Sequence, residues 1–310
     1  MSLPTFDSMN DPADIDPTTL GAHPDPARQL DELVTRLPYG LADGRWVVAR
    51  RADVEAVLAS ADVRVVAPAA PPRVGSVLSQ MARFTDGPDH AARRRAIEAL
   101  LAGLEPDTLR AAARDDARLT LESLAEIEVV ELARRVPVMT LARMLHLDDP
   151  DGTAASVLSL LDEIGRDRDD PVDADAIEKA SRTDPAVLAI LFQTVDATAA
   201  SIIAQLLDPP SASIVLTTRV TTAPLSVGGR TIPADATILV VLAAAARSDL
   251  AFAFGAGPHR CPGSSLATAL ADGVTEAVRE WTGSSTLLPP TRWQDRPNLR
   301  LPIELVAHRA

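Results

Sequence analysis

Phe252–Ala271 reads FAFGAGPHRCPGSSLATALA and holds the only cysteine in 310 residues. A lone cysteine is commonly a small buried hydrophobe. The neighbours of Cys261 point elsewhere. Gly255 and Gly257 stand before it, Pro262 and Gly263 follow it, and a helical pattern opens at Ser264 or Ser265. Glycine lets a backbone bend tightly and pass close to something flat or bulky. A sulfur near a helix N-terminus gains from the peptide dipoles and amide N–H donors there. His259 and Arg260 add polar or positive groups beside it. The stretch predicts a deprotonated sulfur offered to a ligand by a bent backbone.

The rest of the chain limits what that ligand can be. Apolar residues make up 46% but aromatics only 3%, so Ala, Leu, Val and Ile must build the interior, a composition that favours helices. The formal charge of −13 excludes a nucleic-acid partner held by its phosphates. Lys179 is the only lysine. One cysteine cannot close an intramolecular disulfide, which predicts a reducing, cytoplasmic setting. The N-terminus MSLPTFDSMNDPADIDPTTL lacks the basic-then-apolar pattern of a signal peptide. No apolar run reaches the roughly 20 residues that span a bilayer, so no membrane partner is expected.

Residues 1–25, rich in Pro and Asp, predict an extended lead-in, and DPARQLDELVTRL a helix with Asp25 as N-cap and Pro26 at its first position. Trp46–Val48 suit a strand, and Ala52–Leu58 a helix opened by Asp53. DHAARRRAIEALLAGL, EPDTLRAAARDDARLTLESLA and VVELARRVPVMTLARMLHL are helical. Asp148–Asp184, with RDRDDPVDAD at its centre, predicts a mobile surface segment. PAVLAILFQTVDATAASIIAQLL predicts an interior helix ended by DPP. The β-branched runs around Gly228 and Gly229 predict short strands and a hairpin, and LPIELVAHRA a last strand. The fold class is mainly α with a small β portion, in one domain over 1–310.

FAFGAGPHRCPG resembles the haem-binding loop of the cytochrome P-450 superfamily, matched at Phe254, Gly257, His259, Cys261 and Gly263. In that family a cysteine thiolate holds the haem iron and pushes electron density onto it. Other stretches look similar in the same order. DGPDHAARRRAIEALL is similar to the segment in which a His and an Arg bind a haem propionate, here His90 and Arg94, one helical turn apart. TTRV resembles the strand whose arginine, here Arg219, reaches the other propionate. FQTVDATAAS is similar to the oxygen-activating helix, which puts Asp196 at the acid position. Ala197 then takes the alcohol position, Thr198 the next one, and Thr194 replaces a small residue. Thr198 is rotated by roughly 100° from the usual alcohol. His23, His146 and His308 fit no pattern.

The chain departs from the family in three places. No Glu and Arg three residues apart lie between the oxygen helix and the strands; Glu131–Arg134 and Glu276–Arg279 have the spacing but stand elsewhere. The meander before the cysteine loop is absent, and Asp148–Asp184 looks too short for the paired lid helices. The resemblance implies haem b on Cys261, oxygen insertion into a small-molecule or carrier-bound substrate, and a ferredoxin-type electron donor, for which ARRRA at Ala92–Ala96 offers a basic patch. Asp196 and Thr198 would deliver protons. Two readings stay open beside it: a haem-thiolate enzyme that uses peroxide, isomerises or dehydrates, and a non-catalytic relative that supports a partner enzyme.

Overall fold

The computed structural model describes residues 15–164, 174–207, 213–283, 287 and 290–310. The N-terminal part runs through α1 (Ala27–Leu33), β1 (Tyr39–Gly40), β2 (Trp46–Val48), α2 (Arg51–Ala59), β3 (Val63–Val65) and α3 (Pro72–Leu78). A helical body follows: α4 (Gly87–Leu101), α5 (Pro106–Leu121), β4 (Glu126–Glu128), α6 (Val129–Met144), α7 (Pro150–Asp162), α8 (Ala174–Arg182) and α9 (Pro185–Leu206). The chain then forms β5 (Thr217–Thr221), β6 (Leu225–Val227), β7 (Arg230–Ile232), β8 (Thr237–Val240) and α10 (Leu242–Ala246). It closes with α11 (Ser264–Thr282) and β9 (Val306–His308).

The central helix is α9. Asp184 starts it by accepting the Ala186 and Val187 amides at 2.9 and 3.1 Å. It is long and apolar enough to cross a membrane, yet α4, α6 and α11 cover it and most of its side chains are buried. The DPP run expected to end it lies outside the described residues. Beside it, α11 packs closely on α5, because Gly273 lets the Arg110 carbonyl sit where a Cβ would be. Arg110–Glu276, Arg114–Glu280 and Arg118–Glu280 pairs run along this seam. The seam positions the cysteine loop, since α11 begins three residues after Cys261.

A five-stranded sheet in the order β1-β2-β8-β5-β3 forms the other half. Arg219 on β5 stands opposite Val65 of β3 and Ile238 of β8. β6 and β7 form the hairpin expected around Gly228 and Gly229. The strand expected in LPIELVAHRA is β9, paired with β4.

Three expectations need correction. Asp148–Asp184 is not simply a surface segment: α7 and α8 lie within it. Ala154, Val157 and Leu160 of α7, and Ala176, Ile177 and Ala180 of α8, turn buried faces inward despite the charge around them. Most of RDRDDPVDAD falls outside the described residues. Asp25 accepts the Ala27 amide at 3.1 Å, but α1 starts one residue later than expected, with Pro26 as its cap. Within the lead-in, Pro17–Thr19 form a short 3-10 turn, capped by Asp16.

The C-terminal stretch straps this assembly together. Arg300 is buried, stacks 3.6 Å from the Trp293 ring, and donates to the carbonyls of Leu20, Gly21, His23 and Pro24. Val215 N–H bonds Asn298 O, and Arg300 N–H bonds Ser213 O, both at 3.0 Å. This strap joins the chain's beginning to the approach to β5.

Candidate functional site

Two 3-10 turns, Leu250–Phe254 and Gly257–His259, bend the chain into Cys261. The Cys261 amide donates to Phe254 O at 2.9 Å and the Arg260 amide to Gly257 O at 3.1 Å, which closes the bend on itself. Gly257 has φ +65° and lies against the Leu58 carbonyl of α2, so neither the conformation nor the space admits a side chain. Gly263 sits at the head of α11, and its amide donates to the Cys261 sulfur. Burial nonetheless pushes the Cys261 thiol above its ordinary value, against the pull of that amide and of Arg94, Arg83 and Arg260. The expectation of a sulfur kept anionic by its surroundings is corrected here. Desolvation wins, and a bound metal would have to supply the remaining charge stabilisation.

Arg94 clamps this loop from α4. It donates to the carbonyls of Pro258 (3.0 Å) and Arg260, and pairs with Glu98 at 2.7 Å. Its guanidinium is thus engaged with the cysteine loop itself through Nη1 and with Glu98 through Nε. The His90 and His259 rings stack with centroids 4.0 Å apart. Burial holds both below the ordinary imidazole value, His259 at about 4, with His90 and Arg219 adding to the effect. At neutral pH both rings are uncharged, so the 3.1 Å contact between His259 Nε2 and Asp86 Oδ1 is a hydrogen bond from a neutral ring.

Two arginines face the same region without a carboxylate partner among the described residues. Arg219 is buried and donates only to Thr217 Oγ1 (2.9 Å) and Thr218 O (2.8 Å). Burial, and Arg83 nearby, pull it down to about 10. Arg83 was not singled out in the sequence. It is exposed, in the short turn before α4. Its guanidinium lies 5.7 Å from the Phe84 ring, and the Cys261 thiolate is the anion it would feel.

On α9, Asp196 and Thr198 are both buried. Arg134 grips Asp196 Oδ1 at 2.8 Å and Arg296 grips Oδ2, so both carboxylate oxygens are occupied. Arg134 also pairs with Asp162 of α7 at 2.8 Å. Glu131–Arg134 and Glu276–Arg279 are not internal pairs: Arg134 serves Asp196, Glu276 serves Arg110, and Arg279 donates to Gln205 O.

No protein-family model and no curated protein matches the chain. Solved structures do. Epothilone B-bound cytochrome P450epoK superposes with TM-score 0.72 at 18% identity, over 94% of this chain and 98% of its own. The cytochrome P-450 RauA, complexed with a biosynthetic intermediate of aurachin RE, gives 0.72 at 17%, over 96% and 99%. P450BioI, in complex with acyl carrier protein ligated to hexadec-9Z-enoic acid, gives 0.70 at 17%, over 94% and 100%. This chain has the cytochrome P-450 fold.

The P-450 fold is mainly helical with small sheets, as the sequence suggested, and in this chain it is reached without the Glu–Arg pair. Around the cysteine loop the fold gathers a sulfur, the stacked neutral rings of His90 and His259, Arg94 and the buried Arg219, which is in no ion pair among the described residues. A buried cation outside an ion pair, as Arg219 is, is costly unless an anion completes it. A metal held in a dianionic macrocycle supplies both missing elements, a positive centre for the sulfur and carboxylates for the arginines. The donor set therefore fits haem.

Proposed function

We propose that the chain is a haem-thiolate oxidoreductase, with Cys261 as the axial ligand. The observation that carries this reading is the convergence on the Cys261 loop of Arg94, which donates to Pro258 O and Arg260 O, and of the stacked His90 and His259 rings, in a protein of net charge −13. Haem b, when bound, supplies the chemistry of inserting one oxygen atom from dioxygen into an organic substrate. The chain's residues do the rest. Phe254, Gly257 and Gly263 shape the loop, Arg94 locks it and with Arg219 and the His90 N–H receives the propionates, and His259 joins them once its single N–H leaves Asp86. Asp196 and Thr198 lie on the helix that would deliver protons, and Asp196 must first release a guanidinium. Electrons come from a ferredoxin-type partner in the cytoplasm. The substrate is a small molecule or one presented on a carrier, and the carrier-bound complex of P450BioI is a precedent for the second.

The pinned Asp196 and the Ala197 in the alcohol position favour a second reading, haem-thiolate chemistry that needs no reductant. Turnover with peroxide alone separates the two.

Arg219 tests the haem reading with opposite signs. Arg219→Met removes a buried cation that is in no ion pair among the described residues, so the haem-free chain should unfold at a higher denaturant concentration. The same substitution removes a propionate partner, so haem affinity should fall roughly tenfold. A variant whose haem affinity equals that of the parent would contradict the assignment.

A further inference from the structure

We propose that the turn over 296–299 is a positioning element that couples the N-terminal lead-in to Asp196 on α9, with Arg296 as the partner that Asp196 gives up. The proposal rests on the haem reading for what Asp196 does, and on this chain's own contacts for the coupling.

One end of the coupling is an ion pair. Asp196 is buried and gripped by Arg134 and Arg296, and the two arginines are not equivalent. Arg134 stands on the packed helix α6 and is also held by Asp162. Arg296 is the more exposed of the two, has no second ion pair among the described residues, and begins a turn rather than lying in a helix. A guanidinium with one carboxylate partner on irregular backbone opens at lower cost than one with two partners on a helix. Arg296 is therefore the one that leaves.

The other end is the lead-in. Leu299 N–H closes the turn on the Arg296 carbonyl at 3.4 Å, and the buried Gly21 lies against the carbonyls of both residues. A Cβ at position 21 would fall 2.6 Å from the Leu299 oxygen and nearer still to that of Arg296, and backbone oxygens cannot rotate away. One residue past the turn, the buried Arg300 donates to the carbonyls of Leu20, Gly21, His23 and Pro24. A buried guanidinium parted from its acceptors is costly, so the lead-in cannot shift without carrying the turn with it. Where the turn sits decides how far the Arg296 guanidinium reaches. Lead-in and acid share one equilibrium, and loosening either loosens the other.

Two measurements on the full chain test this. Urea melts of the parent, Gly21→Ala, Asp196→Asn and the double variant form a cycle. Gly21→Ala already displaces Arg296, so Asp196→Asn should cost less beside it, with a departure from additivity of more than about twofold in the unfolding equilibrium constant. That departure should vanish when all four chains carry Arg296→Gln. Arg300→Lys replaces Gly21→Ala should the latter fail to fold. Arg134→Gln should lower the urea midpoint more than Arg296→Gln, and the reverse order would make Arg134 the partner released and overturn that assignment. Amide hydrogen exchange reads the coupling in the other direction. Asp196→Asn and Arg296→Gln should speed exchange at His23, Val215 and Leu299 about fivefold relative to the β6–β7 hairpin, and Arg134→Gln should not. A cycle additive within twofold, a departure that persists without Arg296, or exchange at these amides that merely follows the hairpin would overturn the proposal. Neither measurement requires haem, so a chain that binds none refutes the haem reading alone and the coupling is still decided.

Discussion

Gly257→Val should cost about 3 kcal/mol of stability and at least a hundredfold in haem affinity. Two penalties act together at this position. The φ of +65° is unfavourable for any residue with a Cβ, and more so for a β-branched one. The added carbon would also occupy the place of the Leu58 carbonyl on α2, a backbone group that cannot rotate away. Relief requires the loop to lift from α2, which breaks the Arg260–Gly257 closure and moves Cys261. Thermal unfolding of the haem-free chain reads the first effect and haem titration the second. A variant with parental values in both would show that the loop tolerates displacement and that its tight bend does not place the sulfur.

Asp196→Asn should destabilise the chain by about 3 kcal/mol, because it leaves two guanidiniums facing a neutral amide in a nearly buried position. The Asp196 side chain is 6% exposed against 19% for Arg134 and 32% for Arg296, so Arg134 carries more of the penalty even with Asp162 as a second partner. Combining Asp196→Asn with Arg296→Gln should restore part of the loss, since the double variant removes one of the stranded charges. Thr198→Ala on the same helix should change stability far less and alter the yield of product per oxygen consumed. Urea melts of the four proteins separate these cases. Equal stability of Asp196→Asn and the parent would mean that the carboxylate is not engaged by both arginines in solution, which would free it for proton transfer.

The cysteine loop was legible because its requirements are local. Two glycines, a proline, a cysteine and a helix start within a dozen residues leave few other physical readings. Strand β5 and the hairpin at Gly228 and Gly229 were legible for the same reason. What escaped depends on distant packing. Arg296 lies 100 residues beyond Asp196, and no pattern in either segment pairs them. The contacts of Arg94 with carbonyls 164 and 166 residues away are equally unmarked in the sequence. Helices α7 and α8 were hidden because each buries only a narrow face within a strongly charged stretch. The charge state of Cys261 was misjudged because the sequence displays the helix start and the basic neighbours, but not the depth of burial that outweighs them.

The absence of the Glu–Arg pair is offset by contacts the chain makes elsewhere. The α5–α11 seam, with Gly273 and three Arg–Glu pairs, fixes the helix that follows the cysteine. Arg94 ties the loop to α4, and Gly257 seats it on α2. The strap around Arg300 joins the N-terminal lead-in to the approach to β5. Exposed pairs such as Arg118–Glu280 contribute little individually, so close helix packing carries most of the load.

Absorption of the reduced, carbon monoxide-treated protein, expressed with ample porphyrin, tests the central claim most directly. A sulfur anion on iron should give the red-shifted Soret maximum of thiolate ligation, and Cys261→Ser should remove it. A colourless parent, or a spectrum identical in parent and Cys261→Ser, would contradict the account.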